Sequence, residues 1–164
     1  MAKKITLYAM LAAICLVCGY IESLFLSLSF IAPGIKLGLS NSIALLLVAK
    51  GDFKGAFSVN ITRILLSSLL FSTPFSLVFS LSGGIISLIC VCLLYKTGKF
   101  SIIGISIAGG VIHNIVQLTV AYFLLGNAVL YYLPFLIISG GVSGAVIGFI
   151  ARLVSSKTDK FLNI

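Results

Sequence analysis

Six long apolar runs occupy most of the chain and leave little sequence for anything else. They span about 5–28, 36–49, 55–72, 75–95, 101–125 and 132–153 of the 164 residues. The runs are long and lack the alternation of period two that marks the strands of a transmembrane barrel. We therefore predict an all-α integral membrane protein, a six-helix transmembrane bundle that forms a single domain over 1–164.

The composition excludes the ordinary soluble and disordered classes. Hydrophobic residues make up 60% of the chain and charged residues 9%, against about half and about a quarter in a typical soluble domain. The net charge of +8 does not predict nucleic-acid binding, because the basic residues are not gathered on one face with aromatic residues between them. The four cysteines lie within apolar runs, which is typical of small buried hydrophobic residues.

The basic residues predict how the six helices are oriented. The loops on the same side as the N-terminus hold nine of the eleven Lys and Arg, namely Lys3, Lys4, Lys50, Lys54, Lys96, Lys99, Arg152, Lys157 and Lys160. The opposite loops hold only Lys36, and Arg63 lies within the third run. By the positive-inside rule, this distribution predicts a multi-pass protein of the cytoplasmic membrane with both termini in the cytoplasm.

The connection before the second run is predicted to enter the membrane. The run at 36–49 has 14 residues and would rise about 21 Å as a helix, against about 30 Å for the hydrocarbon core. The preceding Pro33 and Gly34 would therefore dip in from outside and act as a loop gate. Irregular backbone at that depth is tolerated only where protein buries it or water reaches it, so a cavity open to the outside is expected.

Polar side chains inside the runs mark a candidate binding site. Their estimated depths place them between the bilayer midplane and the outside, and helical spacing puts several on shared faces. The residues predicted to bind a substrate are Glu22, Lys36, Asn41, Asn60, Arg63, His113, Asn114 and Gln117.

Two interpretations of these polar residues stay open. A charge at the bilayer centre costs at least about 2.5–3.5 kcal/mol, so such residues face the interior and find partners. Glu22 and Arg63 could form a structural ion pair that holds the bundle together. Alternatively, Lys36 and Arg63, with His113, could hold an anionic or phosphate-like group in a pocket, while Glu22 accepts from a donor on the ligand.

Small residues point to two kinds of close contact. Gly140, Gly144 and Gly148 form a small-xxx-small series, which predicts tight packing inside the bundle. Near the N-terminus, Ala9 and Ala13 with Ala12 form a small-residue surface. That surface is a candidate docking site for another membrane subunit.

The chain carries no recognisable catalytic apparatus, so we predict that it is not an enzyme and has no cofactor or metal. Its three acidic residues are Glu22, Asp52 and Asp159, whereas a prenyl diphosphate synthase needs clustered aspartates to hold magnesium. The sequence also lacks a G-x-x-x-x-G-K-[ST] phosphate-binding loop, so it cannot drive transport by hydrolysing ATP itself.

Several of these segments together resemble the signature of one family. The matching segments are Glu22-Ser23, Ala32 to Asn41 (APGIKLGLSN), Thr62 to Leu65, Phe79 to Gly84, Gly109 with His113-Asn114-x-x-Gln117-Leu118, and Leu133-Pro134. The family is named heptaprenyl diphosphate synthase component I, or Gx transporter. The chain departs from it at Ser40, where alanine is usual, and lacks an earlier proline between Glu22 and Pro33.

This family is in turn similar to the substrate-binding S components of energy-coupling factor (ECF) transporters. The resemblance implies a subunit of a bacterial membrane importer that captures a small anionic or zwitterionic metabolite from outside. It also implies that Ala9 and Ala13 match the Ala-x-x-x-Ala motif by which S components dock on a membrane coupling (T) protein carrying two ABC-type ATPases. The alternatives are a non-catalytic membrane subunit of isoprenoid, polyprenyl diphosphate or quinone metabolism, and a sensor.

Overall fold

The computed structural model describes residues 2–27, 38–71 and 74–158, and this part of the chain is helical with no strand. The helices are α1 (Ala2–Ser27), α2 (Asn41–Ala49), α3 (Phe53–Phe71), α4 (Pro74–Lys96), α5 (Ile102–Leu125) and α6 (Leu133–Thr158), with a 3-10 helix (Asn127–Tyr132) before α6. The predicted all-α class and the count of six α-helices are confirmed.

The short helix α2 lies at the centre of the bundle. It packs against α1, α3, α4 and α6. Around it, α1 packs against α3, α3 against α4, α4 against α5, and α5 against α6. Leu47 and Val48 are at most 1% exposed, and Ala44 and Leu45 are also buried. A helix that is apolar all round is typical of such a fully surrounded position.

The structure differs from the sequence prediction at the start of α2. Gly38 adopts a φ of 74°, and the N–H of Asn41 donates to Gly38 O at 2.7 Å to close a turn. The helix therefore begins at Asn41, five residues later than predicted, because an apolar run does not reveal a left-handed turn residue inside it. The predicted gate residues Pro33 and Gly34, and Lys36, lie outside the described residues.

Within residues 2–27, 38–71 and 74–158, four segments are long and apolar enough to cross a bilayer. They are Ala2–Glu22, Ser76–Lys96, Ile102–Leu125 and Asn127–Ser155, and in each of them only a minority of the residues is buried inside the protein. Large apolar side chains consequently lie on the exterior, with Leu69 81% and Phe123 79% exposed. An apolar exterior of this extent is unusual for a soluble monomer and calls for an apolar environment.

Most basic side chains mark one end of the bundle, which we call the basic end. It carries the start of α1, the α2–α3 connection, the end of α4 and the start of α5. Tyr8 donates from its hydroxyl to Asp52 Oδ2 at 2.5 Å, and Tyr95 donates to Ala49 O at 2.9 Å. Lys96 Nζ lies 5.2 Å from the ring centre of Phe53. These contacts join α1, α2, α3 and α4 at this end.

Glycines allow α5 and α6 to touch through their backbones. A Cβ atom at Gly110 would lie 2.4 Å from Gly140 O, and one at Gly148 would lie 2.8 Å from Ile103 Cα. Real Cβ atoms do not approach backbone atoms this closely. The predicted tight packing of the Gly140, Gly144 and Gly148 series is therefore present.

Gly144→Ala is expected to destabilise the bundle because the new Cβ would lie 2.6 Å from Ser106 O. Overpacking of this kind costs about 1–3 kcal/mol. The matched control is Gly141→Ala, whose Cβ would meet only Val111 Cγ2 at 4.0 Å and should be neutral or slightly stabilising. Thermal unfolding of both variants in one detergent makes the comparison, and equal melting temperatures would contradict this account of the contact.

Candidate functional site

The turn that precedes α2, residues 38–41, is held from one side by a buried carboxylate on α1. Glu22 is 5% exposed, and its two oxygens accept from the backbone N–H groups of Gly38 and of Leu39, the latter at 3.2 Å. The turn also leads into the N-terminus of α2, where the helix dipole favours a negative charge. Backbone N–H groups therefore compensate the Glu22 carboxylate.

The same turn is held from the other side by a guanidinium group on α3. Arg63 donates from Nη1 to Ser40 Oγ at 2.8 Å and from Nη2 to Asn41 Oδ1. Its Nε and Nη2 also donate to Asn60 Oδ1, at 3.1 and 2.9 Å. Asn60 Nδ2 in turn donates to Gly84 O at 3.1 Å, so one polar network joins α2, α3 and α4.

The sequence leaves a direct ion pair between Glu22 and Arg63 open as one of two interpretations. The structure shows a different arrangement. Within the described ranges the two side chains do not contact each other; each binds the turn between them. Every hydrogen-bond acceptor that Arg63 uses is electrically neutral. These bonds occupy four of the five N–H groups of the guanidinium, so one donor of Arg63 is not used by them.

Helix α5 supplies the opposite wall. A Cβ atom on Gly83 of α4 would lie 3.1 Å from both the His113 ring and Gln117 Cγ, so these two side chains pack over a glycine. Asn114 Nδ2 donates to Leu136 O at 2.8 Å and thereby ties α5 to α6. The i, i+4 spacing of His113 and Gln117 accounts for their common face.

These two walls enclose a polar cavity of about 80 Å³, the outer chamber. Six of the eight residues predicted to bind a substrate line it: Glu22, Asn41, Arg63, His113, Asn114 and Gln117. Asn60 lies behind Arg63, and Lys36 falls outside the part of the chain that the structure describes. The remaining lining includes Ser40, Ser80 and Ser143, which the sequence prediction missed because single serines in apolar helices carry no distinguishing pattern.

A second cavity of about 60 Å³, the inner chamber, adjoins the first. The two chambers share Asn41, Gly110, His113 and Ile147 in their walls. The inner chamber extends along α4 past Leu88 and Val91, towards the basic end. Asn60 belongs to this chamber rather than to the outer one.

The three alanines predicted to dock a partner do not share one environment. Ala9 and Ala13 lie on the exposed face of α1. Ala12 is 3% exposed and packs in the core with Cys15. A partner that packed against the exterior surface of α1 would therefore contact Ala9 and Ala13 but not Ala12.

Comparison with known proteins identifies the family. A family model described as heptaprenyl diphosphate synthase component I matches residues 11–154, a span that contains both chambers. Neither the curated proteins nor the solved structures that were compared with the chain gave a match. The family match covers most of the sequence, and the chain belongs to the heptaprenyl diphosphate synthase component I family.

Proposed function

We propose that this chain is the substrate-binding membrane subunit of an energy-coupling factor type importer. It would hold a small anionic or zwitterionic metabolite in the outer chamber. The apolar exterior of α1, α4, α5 and α6 supports insertion into a bilayer, because lipid-facing helices present apolar side chains outward.

The observation that carries this proposal is the state of Arg63. A guanidinium group inside an apolar bundle is costly unless it is paired, yet the acceptors around this one are neutral amide and hydroxyl oxygens. The group also lines the outer chamber. The Glu22 carboxylate lines the same chamber but bonds to backbone N–H groups and not to Arg63. An anionic group on a ligand would make the direct charge-assisted hydrogen bond that Arg63 lacks.

The positions of the chambers support entry of the ligand from outside. The positive-inside rule assigns the basic end to the cytoplasm, and the outer chamber lies towards the opposite end of α4 and α5. The segment with Pro33, Gly34 and Lys36 directly precedes the turn that forms part of the chamber wall. We propose that this segment is the gate.

The exposed alanines of α1 are proposed to dock the membrane coupling protein, which carries two ABC-type ATPases. Ala9 and Ala13 are exposed and lie one helical turn apart, so they give a partner helix a flat surface for close approach. They also lie close to the basic end, next to the contact between Tyr8 and Asp52.

The double variant Ala9→Leu, Ala13→Leu is expected to lose its coupling protein and ATPases while it keeps its fold. Tagged protein is purified from its native membrane in mild detergent, and the copurifying subunits are quantified by mass spectrometry. Ala128→Leu, which changes an exposed alanine at the far end of the bundle, is the matched control. Equal recovery of the ATPases with both variants would contradict docking through α1.

The family description favours a second candidate, a non-catalytic membrane subunit that works with a polyprenyl diphosphate synthase or a quinone-linked enzyme. A catalytic role for this chain is not proposed, because its three acidic residues are at least 30 positions apart in the sequence. The same purification separates the two candidates. A soluble prenyltransferase in place of the ATPases would support the second.

A further inference from the structure

We propose that the ligand is an amphiphile, with a compact anionic head in the outer chamber and a short aliphatic tail in the inner chamber. This inference rests on the proposed capture function and adds the chemical class of the ligand. It begins with the contrast between the two cavities, which lie end to end in the bundle.

The outer chamber is suited to the head because its wall is rich in polar groups. Arg63 supplies a charge that its neutral acceptors do not cancel, and Gln117 and Ser80 add side chains that can donate hydrogen bonds. The carboxylate of Glu22 is already occupied by backbone N–H groups. Glu22 and Arg63 both line the chamber, but the Glu22 oxygens already accept hydrogen bonds whereas Arg63 retains one N–H group. The hydrogen-bonding capacity left in this wall is therefore mainly that of donors, which suits an anionic head.

The inner chamber is suited to a tail because aliphatic side chains and glycines dominate its wall. Leu45, Leu88 and Val91 line it together with Gly84 and Gly109, and all five are buried. Protein interiors rarely leave voids larger than a water molecule, and an apolar void is a poor site for water. A slender apolar group would fill it.

The residues shared by the two chambers define the neck through which the tail would pass. Gly110 has no side chain to obstruct it, and Ile147 provides an apolar side. Asn41 and His113 complete the neck. Beyond Asn41 the Arg63 network continues into the inner chamber through Asn60, whose Nδ2 bonds to Gly84 O. Most of the other residues that line the inner chamber are aliphatic residues or glycines, so the wall becomes mainly apolar past the neck, as the junction between head and tail requires.

The test uses methyl, butyl and hexyl phosphate as probes, with the protein in lipid nanodiscs and empty nanodiscs to correct for partition into lipid. Each buried methylene should tighten binding about fourfold. Butyl phosphate, with three more methylenes, is therefore expected to bind about 60-fold more tightly than methyl phosphate. The gain should stop at the chain length that fills the inner chamber. Calorimetric titration measures both effects.

Ser87→Leu should abolish the gain in affinity from the tail, because the larger side chain would fill the inner chamber. Ser87 lines the inner chamber but not the outer one. Methyl phosphate should bind this variant as it binds the unmodified protein. Ser82→Leu is the matched control on the same helix, since Ser82 lines neither chamber and bonds only to carbonyls of its own helix. If Ser87→Leu does not fold, Leu88→Ala tests the same chamber by enlarging it, and the preferred chain should lengthen.

The outcomes separate the ligand class from the capture function. The proposal of an amphiphilic ligand is overturned if affinity does not depend on chain length. It is also overturned if Ser87→Leu and Ser82→Leu change the affinity equally. Neither result contradicts capture of a head group in the outer chamber. Failure of every probe to bind at millimolar concentration overturns the anionic head and the amphiphile with it. The capture function is then still judged by the recovery of coupling protein and ATPases with the docking variant.

Discussion

Replacing Arg63 with alanine is expected to remove the captured small molecule from the purified protein. The change deletes the charge in the outer chamber and the fork of donors that holds Asn41 and Asn60. A hydrogen bond to a charged group contributes about 1.5–3 kcal/mol, so affinity should fall about 10- to 150-fold. The measurement is mass spectrometry of the small molecules that denaturation releases from equal amounts of each protein.

Two further arginine variants make the Arg63 result specific. Arg152→Ala removes an exposed arginine near the basic end of α6 and should retain the ligand in full. Arg63→Lys keeps the charge but loses the planar fork, so intermediate retention is expected. Full retention by Arg63→Ala would contradict the ligand assignment and leave Arg63 as a structural tie between α2 and α3.

Glu22→Gln is expected to loosen the turn before α2 and to lower the stability of the whole bundle. A carboxylate accepts from both Gly38 and Leu39, whereas an amide offers one oxygen and turns an N–H₂ group towards the other donor. An unsatisfied buried donor costs about 1–3 kcal/mol. Hydrogen exchange at Gly38 and Leu39 should accelerate, and the melting temperature should fall.

Asp52→Asn is the matched control for the Glu22 prediction. Asp52 also accepts from a backbone N–H, that of Gly55 at 3.0 Å, but it lies at the basic end beside Tyr8. This variant should lower the melting temperature without changing exchange at residues 38–41. Faster exchange there with both variants would show a general loosening and would count against a specific role for Glu22.

The sequence predicts the helices and the faces of the site well because both depend on local periodicity. Apolar runs of helical length define the six helices, and i, i+4 spacing places His113 and Gln117 together. Charged and amide side chains are energetically costly where a membrane helix faces lipid. Their occurrence within the apolar runs therefore predicts that they face the interior of the bundle. That argument brings Glu22, Arg63 and Asn114 to the outer chamber, which they line.

The features that the sequence does not predict depend on contacts between distant segments. The partners of Glu22 are backbone N–H groups, which no sequence pattern identifies. The sequence predicts that Ala12 belongs to an exposed small-residue surface, yet Ala12 is buried in the core. Which face of a helix is buried depends on how the helix packs against its neighbours. The inner chamber lies between α2, α4, α5 and α6. A cavity of this kind depends on how the helices pack, and no residue type in the sequence predicts it.

The most direct test of the central claim is native mass spectrometry of the protein isolated from its own membrane in mild detergent. The account predicts one small anionic molecule bound to each chain, together with a membrane coupling protein and two ABC-type ATPases. A ligand-free chain that copurifies with a soluble prenyltransferase instead would contradict it. The outer chamber would then be a structural polar cluster built around the turn at residues 38–41.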